Sequence, residues 1–227
     1  MSLALQIVIG LIVLGFLVLI GLVVYGSLFN LAKEDQKRKL PGEDLITDQD
    51  TLLRGGKSII INAPPEKVYP YFVQLNQTKA GFYSFQRLER LFGFHIYNTY
   101  SIQERWQHIE KGDWIFYHQS GIGTGIEDFK ENRYITSLSD TRKPPAKSTG
   151  AIAWAPPGFK DFAWTWNFIF EPLPGEKTKF YTCSKVYWAP NSGLRAFLLI
   201  FLLGIPSNVM TVKMLKIVKA CAEGRKN

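Results

Sequence analysis

The hydrophobic pattern divides the chain at residue 32. Met1 to Ala32 holds no Asp, Glu, Lys, Arg or His, and Ile7 to Tyr25 is an unbroken run of Val, Ile, Leu, Phe, Tyr and Gly. A helix over those residues rises about 28 Å at ~1.5 Å per residue, close to the ~30 Å hydrocarbon thickness of a bilayer. The pattern predicts one membrane span, residues 1–32. A cleaved signal needs a basic start, a shorter apolar stretch and a small-residue cleavage site. Met1 to Gln6 carries no basic side chain and the run is too long, so the expectation is a retained anchor. Gly10, Gly15, Gly21 and Gly26 supply no GxxxG pair for helix dimerisation.

Beyond the span, residues 33–56 are polar and lack periodicity, which reads as a basic juxtamembrane linker or a strap over the domain surface. From Lys57 the pattern is that of one domain, residues 57–222, with a short tail at 223–227. Ser58 to Asn62 is a β-branched strand stopped by Pro64 and Pro65. A helix follows, with Val68, Phe72 and Leu75 on one face and a kink expected at Pro70. Ser84 caps a second short helix carrying Phe85, Leu88, Leu91 and Phe92, which Gly93 ends.

Strands are then expected from Trp114 through His118, at Ile126 to Phe129, at Tyr134 to Ser139 and at Ile152 to Trp154. The strongest is Phe162 to Glu171, where Phe162, Trp164, Trp166, Phe168 and Phe170 alternate with smaller or polar residues. Lys179 to Trp188 returns as its antiparallel partner. Ala196 to Ile205 is apolar but, at ~1.5 Å per residue, reaches only about half a bilayer before Pro206 breaks it. The final helix places Val209, Val212, Leu215 and Val218 inward and its lysines outward. This order predicts an α+β domain whose curved antiparallel sheet wraps one long C-terminal helix.

Charge places the domain beside lipid. The net charge of +8 falls wholly after the anchor, and a basic excess next to a bilayer favours anionic headgroups. Lys33, Lys37, Arg38 and Lys39 directly follow the span and predict a cytoplasmic C-terminal domain in a single-pass cell-membrane protein. Two cysteines without a CxxC, and three histidines without HExxH spacing, supply no metal site and no cofactor motif. Gly121 to Gly125 spells GxGxG but precedes no helix that would hold a phosphate. The basic residues are dispersed and no nucleic-acid reading motif occurs.

INAPPEKVYPYFVQL at 61–75, AGFYS and LERL within 80–91, KGDW at 111–114 and ENRYI at 131–135 resemble the START-like, polyketide cyclase-dehydrase superfamily (SRPBCC). LPGEDLI at 40–46 is similar to a leader segment in a membrane-tethered bacterial branch. The resemblance spans residues 40 to 222 and implies the helix-grip fold, with a deep apolar cavity between sheet and terminal helix that takes lipids or other hydrophobic molecules. It implies no particular reaction, and no catalytic residue carries over.

Aromatic residues make up 14% of the chain, which exceeds ordinary core need. A cavity needs an apolar lining with a few placed polar groups. Trp164, Trp166 and Phe168, facing Trp114, Phe116 and the polar tips of Tyr83, His95, Tyr97 and His118, are the candidate ligand-binding set. Lys37, Arg38, Lys39, Phe197, Leu198, Ile200 and Phe201 are the candidate membrane-contact set. The expected function is a membrane-anchored domain binding a lipid or other hydrophobic small molecule. The alternatives are a scaffold subunit partnered by a membrane protein, or a cyclase- or hydrolase-like enzyme using His95, His118 and Asp113.

Overall fold

The computed structural model describes residues 2–226. Helix α1 (Leu3–Gly26) is long and apolar enough to cross a bilayer. Apart from Gln6 its side chains are apolar all round, and they stay largely exposed until its last turn meets the C-terminal helix at Asn208 and Val209. The chain turns at Ser27 and enters the domain through Phe29, whose positive φ of 62° reverses its direction.

Nine-residue strand β1 (Leu53–Ile61) starts five residues before the sequence pattern suggests, because the polar Arg54 to Lys57 stretch still pairs with its neighbour. Helices α3 (Pro65–Val73) and α4 (Gln86–Leu91) follow. Pro70 is carried inside α3, and α4 starts after Phe85 without a side-chain cap; Ser84 Oγ is buried and unpartnered. Next come β2 (Trp114–Phe116), β3 (Gly123–Lys130), β4 (Tyr134–Asp140), β5 (Asp161–Thr165), β6 (Asn167–Leu173) and β7 (Lys177–Ala189). Ile152 forms only a single bridge to Ile122, not the expected strand.

The seven strands form one antiparallel sheet ordered β1-β7-β5-β4-β3-β2, with β6 between β4 and β7. β5 and β6 hold the same register on β7, from Phe162 opposite Trp188 to Phe170 opposite Phe180, so they are one strand interrupted only at Trp166.

Helix α5 (Gly193–Leu199), a π-helical turn at Ile200–Gly204 and α6 (Ile205–Ala222) form one continuous helix. The expected break at Pro206 is absent. Proline offers no N–H, and the adjacent π turn shifts the ladder so that the helix passes through. α6 buries Val212, and its Met214, Leu215, Val218 and Cys221 enter a core shared with Ile59, Ile61, Phe72, Phe168, Phe170 and Phe180. An antiparallel sheet therefore packs its concave face on the C-terminal helix, the helix-grip arrangement of an α+β domain.

Residues 29–56 are ordered over the outside of this sheet. Leu31 N–H donates to Gly56 O and Ser58 N–H to Phe29 O, so the chain covers the free edge of β1 as it crosses from the concave to the convex side. Leu31 and Leu40 then pack with Ile169, Tyr181 and Cys183, and Ile46 is fully buried. Gly56 has no room for a Cβ, which would meet Leu31 Cδ1 at 2.9 Å. At Gly42 (φ +81°) a Cβ would stand 2.6 Å from Asn167 Oδ1.

Polar ties complete this strap. Asp35, in the short helix α2 (Lys33–Gln36), pairs with Lys179 at 2.9 Å, and Arg38 pairs with Glu171. The Tyr181 hydroxyl accepts from Arg38 Nη1 at 2.8 Å and lies 2.9 Å from Glu171 Oε2. Burial opposes the charges of Asp35 and Glu171, but Lys179, Arg38 and the Tyr181 hydroxyl outweigh it and hold both carboxyls below their ordinary range.

At the junction between span and domain stands Lys57, 2% exposed. Its Nζ donates to Gly26 O at 2.5 Å, Asn30 Oδ1 at 2.8 Å and Leu28 O at 3.3 Å. Gly26 in turn backs onto Asn208 and Val209 of α6.

Two outcomes follow for this junction. Lowered native carboxyl pKa values contribute stability that is present above the ordinary 3.8 and 4.5 and is lost as pH falls through the native values. Hydrogen exchange of residues 33–48 is therefore expected to accelerate on acidification below pH ~4 before the central strands lose protection. Burial pushes the Lys57 ammonium down to about 8 from 10.5, so between those values the unfolded chain binds more protons and the fold gains stability as pH rises. Lys57→Met is expected to cost about 2 kcal/mol near neutrality, from the bare carbonyls it leaves, with a gap to wild type that widens between pH 8 and 10 in thermal unfolding.

Candidate functional site

The concave face carries a connected row of rings. Phe162 and Trp164 are 5.3 Å apart by ring centroid, Trp164 and Tyr117 6.2 Å, Tyr117 and Trp166 5.5 Å, and Trp166 and Phe168 4.8 Å. Phe72 of α3 continues the row, 4.8 Å from Phe168 and stacked on Phe180 at 4.4 Å.

The two halves of this row differ in packing. Phe168, Phe170, Phe180 and Phe72 are fully buried under α3 and α6. Trp164, Trp166 and Tyr117 keep a partly open flank. Burial nonetheless raises the Tyr117 phenol well above its ordinary pKa, partly offset by hydrogen bonds with Thr124 and Trp164. These three rings form the partly open stretch of the face. Its polar handles are the Tyr117 hydroxyl, 3.0 Å from Thr124 Oγ1, and Trp166 Nε1, which donates to Thr182 Oγ1 at 3.1 Å.

The structure brings together only part of the sequence-predicted ligand set. Trp164, Trp166 and Phe168 share the concave face, as alternation along one strand requires. Tyr83 is buried beside α3, where its hydroxyl accepts from Gln74 Nε2 at 2.8 Å and donates to Tyr71 O at 3.2 Å. Trp114 and Phe116 do not face the tryptophans. It is Ile115 of β2 and Tyr117, one residue past its end, that join the concave core, while Trp114 lies over Gly125, its cross-strand neighbour. A glycine opposite leaves room for an indole on that side, and this sets the phase of a strand only three residues long.

The remaining predicted tips lie at the surface. His95 is exposed, and Tyr97 is 60% exposed with the Arg90 guanidinium 5.1 Å from its ring centroid. His118 stacks edge-on against Phe94 and its Nδ1 lies 2.9 Å from Ser120 Oγ. Asp113 Oδ2 accepts the Glu110 backbone N–H at 2.9 Å, a turn contact. Among the described residues no carboxylate orients the ring of His95 or of His118.

Two important residues escaped the sequence reading. Tyr117 lies out of phase with Trp114 and Phe116, the two positions expected to face the tryptophans. Gln74, fully buried, accepts from Gln103 N–H and Gln107 Nε2 and donates to Ser101 O, which fixes the 99–107 loop on α3. An isolated glutamine at a helix end carries no pattern that would reveal it.

A second surface lies at one end of the domain. Phe197 is 61% exposed, Leu202 59%, Ile200 46% and Phe201 41%, forming an apolar ridge along α5 and the π turn. Leu199, on its inner side, packs against Phe162 and Trp188, so the ridge sits on the open half of the aromatic row. Gly26 meets Asn208 and Val209 one turn beyond the ridge, which places the exit of α1 at the same end. Of the basic set, Lys37 and Lys39 are exposed, whereas Arg38 is engaged by Glu171.

No family model matches this sequence, and no curated protein matches it. Solved structures resemble it distantly. XoxI from Bacillus cereus aligns at 13% identity over 74% of this chain and 96% of its own, with a TM-score of 0.39. The hypothetical protein jhp0584 from Helicobacter pylori aligns at 10% identity over 81% of this chain and 95% of its own, with a TM-score of 0.45. A protein from Arthrobacter aurescens aligns at 11% identity over 76% and 87%, with a TM-score of 0.38.

The uneven packing of the row has a measurable consequence. Phe72→Ala, in the closed half, is expected to cost about 3–5 kcal/mol, the range for deleting a buried aromatic. Trp164→Ala, on the open flank, is expected to cost less than half as much in the same denaturation experiment.

Proposed function

We propose that this protein is a membrane-anchored helix-grip domain of the START-like superfamily that holds a lipid or other hydrophobic small molecule against its concave aromatic face. The observation carrying this reading is the meeting, at one end of the domain, of the open half of the aromatic row, the apolar ridge and the exit of α1. An apolar molecule leaving a bilayer at that point passes from lipid to ring side chains without crossing water. The ridge then rests in the headgroup region, as an amphipathic segment does. Lys33, the first charged residue after α1, would face an anionic cytoplasmic leaflet and be worth about 1 kcal/mol there, whereas Lys37 and Lys39 flank Arg38, which is tied to Glu171 toward the far end of β7.

One observation favours a second reading. The inner half of the core is filled by stacked phenylalanines, as in a scaffold that holds no ligand and offers the ridge to a membrane protein.

Two measurements separate and test these readings. Native mass spectrometry of gently extracted full-length protein is expected to show a co-purifying lipid; a ligand-free protein that also takes up no fluorescent lipid defeats the first reading. Nitroxides on Ile200→Cys and Leu202→Cys are expected to report lipid-phase oxygen accessibility in nanodiscs. A nitroxide on Glu176→Cys, in the turn at the far end of β7, is expected to report water, since the strand spans roughly 40 Å at ~3.3 Å per residue.

A further inference from the structure

A separate cavity of about 220 Å³ lies where the end of α3 meets β2 and β3. Its floor is apolar, formed by Phe72, Leu75, Ile109, Ile115, Ile126 and Ile135. Two charged side chains enter the lining, Lys79 from the loop after α3 and Asp113 from the turn before β2. Among the described residues Lys79 makes no salt bridge, and the one recorded partner of the Asp113 carboxylate is the Glu110 backbone N–H. The other polar groups there are committed. Thr78 Oγ1 donates to Asn76 Oδ1 at 3.1 Å, and Asn76 Nδ2 donates to Trp114 O at 2.8 Å.

The cavity thus offers a half-buried cation without an ion partner and, exposed at its mouth, a largely free anion, above a lining of mixed polarity backed by isoleucines. A simple anion placed on Lys79 meets the Asp113 carboxylate, and a simple cation on Asp113 meets the Lys79 ammonium. A molecule carrying both charges satisfies both. We propose that this cavity binds a zwitterion with a compact apolar body, the chemistry of an apolar α-amino acid, its carboxylate on Lys79, its ammonium toward Asp113 and its side chain on the isoleucine floor. The space suffices, since apolar voids of about 150 Å³ take up a benzene ring. Burial lowers the Lys79 pKa and Asp113, the ionisable group acting on it, partly restores it. This site is independent of the lipid reading.

The test is calorimetric titration of the full-length protein in nanodiscs with leucine, isocaproate, which lacks the ammonium, and isoamylamine, which lacks the carboxylate. Leucine is expected to bind at least about tenfold more tightly than either half, the scale of a charged hydrogen bond. Lys79→Met is expected to weaken leucine and isocaproate but not isoamylamine, and Asp113→Asn to weaken leucine and isoamylamine but not isocaproate. Leucine affinity is expected to fall as pH rises through the lowered Lys79 pKa. Lys79→Gln and Asp113→Ser serve if the first variants unfold on heating at lower temperature than wild type. Absence of leucine binding, equal binding of the halves, or indifference of leucine to both substitutions overturns the proposal.

Discussion

A helix leaves its last carbonyls without donors, and at the end of an apolar span there is little water to supply them. In this protein Ser27 and Leu28 serve the carbonyls of Val23 to Tyr25 locally, and the donor for Gly26 comes from the domain. Lys57 reaches back from β1 to the carbonyls of Gly26 and Leu28 and to Asn30, and is itself almost wholly out of solvent. Each group needs the other, since a buried ammonium is costly unless hydrogen-bonded and bare carbonyls are costly unless capped. The end of α1 is thereby held against the first strand, and Gly26 presses on α6 where a side chain would stand 3.2 Å from Asn208 Cβ. Span, edge strand and terminal helix meet at one point.

That point determines where the rest of the chain can go. Having left α1 on the concave side, the backbone has one short way to the convex side, over the edge of β1, and residues 29–31 take it while pairing with Gly56 and Ser58. The strap that follows covers the outer face with Leu31, Leu40 and Ile46 and ties down through Asp35 and Arg38. A basic run that looked free to meet headgroups therefore divides. Arg38 is tied to Glu171 while its side chain stays half exposed, and its neighbours Lys37 and Lys39 are free in solvent.

Periodicity carried much of the fold. The alternating aromatics from Phe162 to Phe170 hold one register on β7 across their full length, and Val212, Leu215 and Val218 are buried at the helical spacing that marks them. Short elements were less legible, because their phase is decided by neighbours far along the chain. Three residues of β2 cannot say which side is inward, and Gly125, eleven residues after Trp114, decides it. Pro206 reads locally as a break, yet a π turn beside it keeps the helix continuous. The strap gave no periodic signal at all, since its buried residues are single leucines and an isoleucine fitted into an existing sheet surface. For the same reason Lys57 reads as an ordinary strand lysine until the end of α1 is brought beside it.

The rigid junction also bears on what the ridge can do. A domain hung on a flexible tether presents every face to the bilayer in turn, and an apolar ridge then binds lipid only as its own hydrophobicity allows. Here the end of α1 is capped by β1 and packed on α6, so on the proposed reading the ridge one turn away would be presented to the bilayer by the same helix, without the ordering cost that a free segment meets on binding. The ridge is continuous with α6, whose inner face forms the floor of the core, and Leu199 beneath it touches Phe162 and Trp188. The ridge segment and the open half of the aromatic row are thus in direct contact, while the stacked rings around Phe72 keep the other half closed.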